Sequence, residues 1–295
     1  MPSVASASAQ LPSNKPVDTA EAYGGGNARV YRRDKLDADD VREVSGEMHS
    51  SELTLGRWIR ARGCRDDVVV CTKVNGGNAP ENIARAVRDC SERLGINRID
   101  IFMLHVPDDK VPIDESLDAL NAEVSAGRVG IIGCSNFSGG QLREALEASR
   151  HHNLARFEVI ENHYNLAHRE AETDVFPACA ERDVSFIAFS PLGAGFLTGK
   201  YTRDRQQLPP GTRFDVIPGH CDVYFSDDGF RVAGLPRLSR PEGRRDTSGS
   251  EAEFPDLAAA RFPGRVHAAH STEGLASDSL LWLVLQQVAR GAEEA

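Results

Sequence analysis

The sequence lacks the features that mark several classes of protein. Its six cysteines include no CxxC pair, which argues against a zinc module or a disulfide-stapled secreted domain. The longest apolar run, residues 280–285, is far too short to cross a bilayer. The amino terminus has no basic segment followed by an apolar core, so no secretory signal is visible. These absences favour a cytoplasmic protein with reduced cysteines and no membrane partner.

Charge of one sign is not concentrated in any segment. The net charge of −10 comes from acidic residues dispersed along the chain, which argues against nucleic acid as a main partner. No arrangement of Cys, His and carboxylate residues completes a metal site, so no metal is expected. With 295 residues and 40% hydrophobic content, the chain can bury a core as one α/β barrel or as two ordinary domains.

Short apolar runs that end in a polar residue recur along the chain. The first run ends at Asp18, and a longer gap separates it from the second run, after which the intervals are shorter. The later runs end at Lys73, His105, Ser135, Glu161 and Ser190. Their gaps of about 30 residues match the roughly 31 residues of one βα unit in an eight-fold barrel. This interval indicates a parallel barrel with its reactive side chains at one rim.

The residues between these runs carry helix signals. We predict strands over 15–18, 67–73, 99–105, 129–135, 157–162 and 184–190. We predict helices over 50–62, 80–94, 113–126, 138–149 and 170–182. Ser50, Ser51 and Glu52 are expected to cap the first helix, and Pro80 and Pro112 stand at helix starts, where a missing N–H costs nothing. The pattern predicts an α/β fold, a TIM-type (β/α)8 barrel whose first and last units are not recognisable.

Composition divides the chain into three parts. Residues 1–14 are rich in Ser, Ala and Pro and are expected to be a disordered leader. Residues 15–235 are expected to form the barrel, with the polar segment 25–49 as an insertion at its rim. Residues 236–295 form a divergent tail, expected to be partly disordered with a terminal helix over 279–290.

Four polar residues, Asp18, Tyr23, Lys73 and His105, are expected to meet at the rim, and we call them the rim tetrad. Each follows or ends an apolar stretch, where burying a charge is costly unless it is paired with an opposite charge or serves the chemistry of a site. A buried lysine beside a tyrosine stabilises the phenolate and makes the phenol a better acid. A carboxylate keeps the lysine charged, and a histidine can orient a carbonyl oxygen. The set predicts protonation of a carbonyl oxygen while another group delivers hydride.

Six segments resemble those of the aldo-keto reductases, in order and at suitable spacing. They are DTAEAYG (18–24), TKV (72–74), MLHVPD (103–108), GRVGIIGCSNFS (127–138), ENHYNL (161–166) and AFSPLGAGFLTGKY (188–201). The resemblance implies a TIM barrel that binds NADP(H) without a Rossmann fold and reversibly reduces an aldehyde or ketone. By the same resemblance Tyr23 would be the general acid, Lys73 the residue that lowers its pKa, Asp18 the partner of Lys73, and His105 the substrate-orienting group.

The resemblance also implies a set of cofactor contacts. Ser135 and Asn136 would hydrogen-bond to the nicotinamide carboxamide, and Phe189 would stack on the nicotinamide ring. The residues expected along the pyrophosphate are Ser190, Leu192, Gly193 and Lys200. Glu161 stands where the family usually has a glutamine. An ionised carboxylate only accepts hydrogen bonds, and here it would accept from the carboxamide NH₂.

Two parts of the family pattern are not recognisable. They are the opening strand and first helix, expected before residue 18, and the C-terminal segment that grips the adenosine 2′-phosphate, expected after residue 235. The alternative interpretation is therefore a non-catalytic binding or regulatory relative, or a truncated inactive one. The main interpretation is an NADP(H)-dependent oxidoreductase acting on a small carbonyl compound.

Overall fold

The computed structural model describes residues 15–23, 49–216, 218–234, 266–269 and 283–284. Its strands are β1 (Lys15–Asp18), β2 (Val68–Val74), β3 (Ile99–Leu104), β4 (Val129–Ser135), β5 (Phe157–His163), β6 (Ser185–Phe189), β7 (Val266–Ala269) and β8 (Leu283–Val284). The helices between β1 and β6 are α1 (Ser50–Arg62), α2 (Pro80–Leu94), α3 (Ile113–Ser125), α4 (Gly139–His152) and α5 (Val175–Arg182). A 3₁₀ segment (Gly193–Thr198) and three short helices follow β6: α6 (Arg213–Val216), α7 (His220–Tyr224) and α8 (Asp227–Ala233).

The strands form one sheet in chain order from β1 to β8. Strands β1 to β7 pair in parallel, each with the next along the chain, and β8 pairs antiparallel with β7. Helices cross over between successive parallel strands, as right-handed βα units require. No pairing among the described residues joins β8 to β1, so the sheet is curled as an incomplete barrel. This confirms the predicted fold class.

Side chains alternate between two cores along each strand. The inner layer of the barrel consists of Val69, Cys71, Ile101, Met103, Val159 and Ile187. The larger core between sheet and helices includes Val70, Phe102, Ile132, Ile160 and Phe186. Successive strand residues face opposite sides, so a residue two positions beyond the inner layer lies on the same face, nearer the carboxyl end of its strand. Lys73, His105, Glu161 and Phe189 occupy such positions, which is why the predicted site residues converge.

Helix α1 begins differently from the prediction. Its N-cap is His49, with a left-handed φ of 64° and no capping side-chain hydrogen bond. Ser51 Oγ instead pairs with Thr19 Oγ1 at 2.6 Å, and Glu52 is buried and receives a hydrogen bond from Arg93 Nε at 2.5 Å. The capping prediction was wrong because packing against the start of the sheet and against α2 engages these side chains.

The same contacts close the segment between residues 23 and 49. Besides the Thr19–Ser51 bond, the Ser51 N–H donates to the Tyr23 carbonyl at 3.3 Å. His49 Nδ1 lies 2.6 Å from the Glu21 carbonyl oxygen. The chain on either side of that segment is therefore joined at its base.

Other predicted elements agree with the observed ones to within a few residues, except that α5 begins at Val175, after a 3₁₀ turn at Glu170–Glu172. The tail contributes β7 and β8, two short strands that the sequence did not reveal. Leu283–Val284 is a strand, not part of the helix predicted over 279–290. The predicted leader, the rest of that helix and most of the insertion over 25–49 lie outside the described residues.

The cysteines are all free, and all but the half-buried Cys64 are buried. This agrees with their interpretation as reduced core residues. Within the described ranges, no helix combines the length and apolar character needed to cross a bilayer.

Gly133, inside β4, packs closely against Val159 on the neighbouring strand β5. A Cβ there would lie 2.6 Å from the Val159 carbonyl oxygen and 2.7 Å from Val159 Cγ1. We expect Gly133→Ala to lower the free energy of unfolding by about 1–3 kcal/mol, because overpacking shifts the neighbouring backbone. The control is Gly140→Ala in α4, where the nearest atom is Ser138 Oγ at 3.7 Å. Denaturant unfolding measures both, and equal stability of the two variants would contradict this packing.

Candidate active site

The carboxyl ends of β1 and β2 bring an ion pair into the barrel interior. Lys73 Nζ donates to Asp18 Oδ1 at 2.5 Å and to the Thr19 carbonyl oxygen at 3.2 Å. Both charged side chains are 0% exposed. The register of the parallel ladder aligns Asp18 with Cys71, which places Lys73 on the same inner face, one pleat nearer the rim. A lysine buried this deeply keeps its charge only with a partner of opposite sign.

Tyr23 lies in the turn after β1, over this ion pair. Lys73 Nζ is 3.4 Å from Tyr23 Oη and 4.9 Å from the centroid of its ring. His105 follows β3 and packs edge-to-face against Tyr23, with ring centroids 5.6 Å apart and an interplanar angle of 77°. The structure therefore brings the whole rim tetrad together.

The protonation states of the rim tetrad follow from burial and charge. Burial alone would lower the pKa of Lys73. Attraction to the carboxylates of Asp18 and Glu161 outweighs burial and raises that pKa well above its ordinary value. Burial, helped by the charge of Lys73, lowers the pKa of His105 to about 4. His105 is therefore neutral near pH 7 and can donate one hydrogen bond without adding a charge to the site.

A polar network that the sequence analysis did not assign supports the Tyr23 turn. Glu21 is buried, and its two carboxylate oxygens accept from Arg85 Nη1 at 2.7 Å and Nη2 at 3.1 Å. Glu21 Oε2 also accepts from the Asn75 N–H at 2.9 Å. Burial opposes ionisation, but the hydrogen bonds from Arg85 prevail and lower the pKa of Glu21. In the sequence, the signal for this network was Glu21 itself, a charged residue between two alanines in the segment 18–24.

Polar groups from β4 and β5 lie beside the rim tetrad. Ser135 Oγ donates to the Glu161 carbonyl oxygen at 2.8 Å. Asn136 has a left-handed φ of 62°, and its Nδ2 donates to the His105 carbonyl oxygen at 3.0 Å. The Glu161 side chain is 1% exposed, and its Oε2 lies 3.2 Å from Lys73 Nζ. Glu161 therefore contacts the ion pair directly, which its predicted role as a carboxamide acceptor did not require.

Phe189 ends β6 as part of a stack of planar side chains. Its half-buried ring lies parallel to His163, with centroids 5.2 Å apart, and His163 stacks on His168 at 3.9 Å. His163 Nε2 lies 2.6 Å from the Tyr224 hydroxyl. Burial, with the neighbouring histidines, lowers the pKa of His163 to about 4, so the middle ring of the stack is neutral near pH 7. The stack fixes the ring of Phe189 at the rim.

The loop after β6 holds the residues predicted along a pyrophosphate: Ser190, Leu192, Gly193 and Lys200. Gly193 and Gly195 have left-handed φ values of 59° and 89°. A Cβ on Gly195 would lie 2.9 Å from Lys200 Nζ, so the glycine lets the lysine ammonium lie close against this backbone. Turns of this kind, with an adjacent cation, form concave sites for anions.

Asp18, Cys71 and Glu161 bring potential metal-ligating atoms within 4.8 Å of one another. The Lys73 ammonium lies against both carboxylates. The cation in this cluster is therefore the lysine side chain.

The strand ends of this parallel barrel thus bring together a tyrosine, a buried lysine–carboxylate pair and a neutral histidine. Residues 14–230 match the profile of the Aldo/keto reductase family, and the chain belongs to that family. The family consists of oxidoreductases that act on small molecules and typically use a nicotinamide cofactor.

The chain is similar to several characterised members. It is 30% identical to the NADH-specific methylglyoxal reductase of Escherichia coli over 68% of this chain and 59% of that protein. It is 29% identical to the aldo-keto reductase yakc [NADP(+)] of Schizosaccharomyces pombe over 55% of this chain and 50% of that protein. The chain thus spans between half and two thirds of each of these relatives. A solved glycerol dehydrogenase, AKR11B4 from Gluconobacter oxydans, superposes with a TM-score of 0.60 at 25% identity, covering 85% of this chain and 70% of that one.

Proposed function

We propose that this protein is an NADP(H)-dependent reductase that converts an aldehyde or ketone into an alcohol, with Tyr23 as general acid. The observation that carries the proposal is the 3.4 Å contact between Tyr23 Oη and the buried, charged Lys73 Nζ. A fixed cation beside a phenol stabilises the phenolate that remains after the proton leaves. Asp18 holds that cation in place.

The side chains at the rim fit a nicotinamide cofactor. Ser135 and Asn136 group a hydroxyl and an amide at the end of β4, and such groups suit a carboxamide. The Glu161 side chain, expected to join them, is 1% exposed and faces Lys73 instead. The partly exposed ring of Phe189 suits stacking on a nicotinamide ring. The loop with Ser190, Leu192, Gly193 and the exposed Lys200 suits a pyrophosphate. When bound, the cofactor supplies the hydride that the carbonyl carbon receives.

The rim tetrad would perform the proton chemistry. Tyr23 donates its hydroxyl proton to the carbonyl oxygen, and Lys73 stabilises the resulting phenolate. His105, being neutral, donates a hydrogen bond that orients the same oxygen. In the reverse direction the phenolate accepts the proton of the alcohol, so the same residues serve oxidation.

The identity of the cofactor is part of the proposal. The two relatives named above differ, since the name of one specifies NADH and that of the other NADP(+). We propose NADP(H) from the family resemblance alone, because the segment expected to grip the adenosine 2′-phosphate, after residue 235, is not recognisable in the sequence. A cytoplasmic location, a single barrel over residues 15–235 and the absence of a nucleic-acid partner stay predictions from the sequence.

A cofactor titration of the full chain tests the proposal. We expect saturable binding of NADPH, followed by its fluorescence, and a higher thermal midpoint, because a ligand that binds only the folded state stabilises it by about 2.7 kcal/mol at 100 times Kd. Lys200→Ala should weaken NADPH binding, whereas Arg88→Ala, which removes an exposed cation from α2, should not. NADH is titrated in parallel.

The outcomes separate the two interpretations of the sequence. Binding followed by turnover of an aldehyde panel supports the reductase. Binding without turnover favours a non-catalytic relative. A cooperatively unfolding protein that binds neither cofactor contradicts the proposed function.

A further inference from the structure

Glu161 belongs to a buried cluster that contains one more acid than base. Lys73 Nζ lies 2.5 Å from Asp18 Oδ1 and 3.2 Å from Glu161 Oε2. The three side chains come from β1, β2 and β5, and each is at most 1% exposed. With both carboxyls ionised, the cluster would carry a net charge of −1 with no access to water. Burying an uncompensated charge is costly, and proteins commonly avoid that cost by binding a proton.

Among the residues that the structure describes, the groups around the cluster do not supply a second positive charge. Arg85 and Arg93, the nearby arginines on α2, pair with Glu21 and Glu52 instead. His105 is neutral near pH 7, as described above. Burial raises the pKa of the Cys71 thiol well above its usual range, so this group is neutral too.

The strands that flank Glu161 do not compensate its charge either. Ser135, on β4, donates its hydroxyl hydrogen to the backbone oxygen of Glu161 and not to its carboxyl group. The residue paired with Glu161 on β6 is the apolar Ile187.

Two carboxyl oxygens in the cluster, Asp18 Oδ2 and Glu161 Oε1, have no hydrogen-bond partner among the described residues, and Glu161 Oε2 has only its 3.2 Å ion contact with Lys73 Nζ. Two adjacent carboxylates are both acceptors and cannot satisfy each other. A proton on one of them changes an acceptor into a donor and removes the excess charge. Asp18, with the shorter contact to Lys73, is the better stabilised anion, so the proton belongs on Glu161.

We propose that Glu161 is protonated at neutral pH and is a positioning residue, which acts on Tyr23 through Lys73 by setting the net charge of the cluster. Burial and the charge of Asp18 raise the pKa of Glu161 to about 8, against the opposing effect of Lys73. Below that pH the ammonium has one anionic partner, Asp18, which offsets only part of its field at the phenol. Above it a second carboxylate offsets the field and disfavours the phenolate. The effect on Tyr23 rests on the proposed function, whereas the protonation of Glu161 does not.

The first test needs neither cofactor nor turnover. Infrared spectra of the wild type should show the carbonyl stretch of a buried protonated carboxyl group, which persists at neutral pH and disappears as the pH rises past about 8. The isosteric variant Glu161→Gln should lack that band. A band that remains in Glu161→Gln would place the proton on another carboxyl and overturn the proposal, as would a wild type without the band at neutral pH.

The pH dependence of unfolding gives a second readout. The folded-state pKa of Glu161, about 8, lies above the roughly 4.3 of an unfolded glutamate. The folded protein therefore holds one more proton between these values, and stability is lost as the pH rises through this window. Relative to Glu161→Gln, the unfolding equilibrium constant of the wild type should rise about tenfold per pH unit there. A constant ratio would contradict the proposal.

The third readout concerns the reaction. Alcohol oxidation needs the phenolate of Tyr23. Its rate in Glu161→Gln should therefore reach a plateau at a pH about one to two units lower than in the wild type. This is the shift in the pKa of Tyr23 expected when a unit charge roughly 6 Å away is removed, at an effective dielectric constant of about 20. Glu161→Asp keeps a carboxyl group at this position, so its pH–rate curve should again depend on the ionisation of residue 161, unlike that of Glu161→Gln. Glu158→Gln is the control, since Glu158 lies on the same strand with its side chain 35% exposed.

If the pH–rate curves of the wild type and Glu161→Gln coincided, the proposed effect of the Glu161 charge on Tyr23 would be overturned. A protein without turnover would refute the proposed function, while the infrared and unfolding data would still decide the protonation of Glu161.

Discussion

Tyr23→Phe is expected to lower kcat/KM for carbonyl reduction by about 10²- to 10⁴-fold, the usual contribution of a positioned general acid. The substitution removes one oxygen and leaves the ring, so the edge-to-face contact with His105 remains. Lys73 stays paired with Asp18 and Glu161, so the charge of the site does not change. The loss should therefore be confined to proton transfer, with the dissociation constant of NADPH almost unaltered.

Steady-state kinetics and the cofactor titration together measure this effect. The matched control is Tyr164→Phe, which removes a buried hydroxyl that donates to Glu172 and lies in the core between sheet and helices. It should cost stability but leave turnover nearly intact. Turnover close to that of the wild type in Tyr23→Phe would rule out Tyr23 as the general acid.

Lys73→Met should have the largest effect on stability as well as abolish turnover. The variant leaves two buried carboxyl groups without a cation, and removing one partner of a buried ion pair costs about 3–5 kcal/mol. The carboxyl groups can escape this cost only by binding protons. Their folded-state pKa values would then lie above the unfolded ones, so the variant should be most stable at acid pH and lose stability as the pH rises.

Denaturant unfolding at several pH values measures this prediction, and a double variant provides the control. Asp18→Asn combined with Lys73→Met removes the ion pair and leaves Glu161, which can stay protonated, as the one carboxyl group of the cluster. Replacing a buried ion pair as a whole costs far less than removing one of its partners. The double variant should therefore recover most of the stability but none of the turnover. If Lys73→Met were as stable as the wild type at neutral pH, the ion pair would not hold the site together.

The repeat of strand endings was enough to predict the barrel and the meeting of the rim tetrad. In a parallel sheet every carboxyl end lies at one edge, and the alternation of side chains decides which of them face inward. Lys73 follows Val69 and Cys71 on the inner face, and His105 follows Ile101 and Met103. Such local rules need no knowledge of distant contacts.

Other contacts between charged residues that are distant in sequence could not be predicted in this way. Arg85 and Glu21 are 64 residues apart in sequence, and Arg85 alone resembles one of many cations on a solvated helix face. Glu161 was interpreted as an acceptor for the carboxamide in place of the usual glutamine. Its contact with Lys73 joins β5 to β2, and two strands stand between these in the sheet. Strands β7 and β8 have 4 and 2 residues, too few for a periodic pattern.

The joined base of the segment between residues 23 and 49 affects how much a change in the length of that segment would cost. Thr19 and Ser51 bond to each other, and His49 lies against the Glu21 carbonyl, so the chain leaves and re-enters the barrel at one fixed point. The entropy of closing a loop grows slowly, by about 0.6 kcal/mol for each doubling of its length. A segment attached in this way can therefore change in length at little cost in free energy, while the residue that precedes it, Tyr23, keeps its place over Lys73.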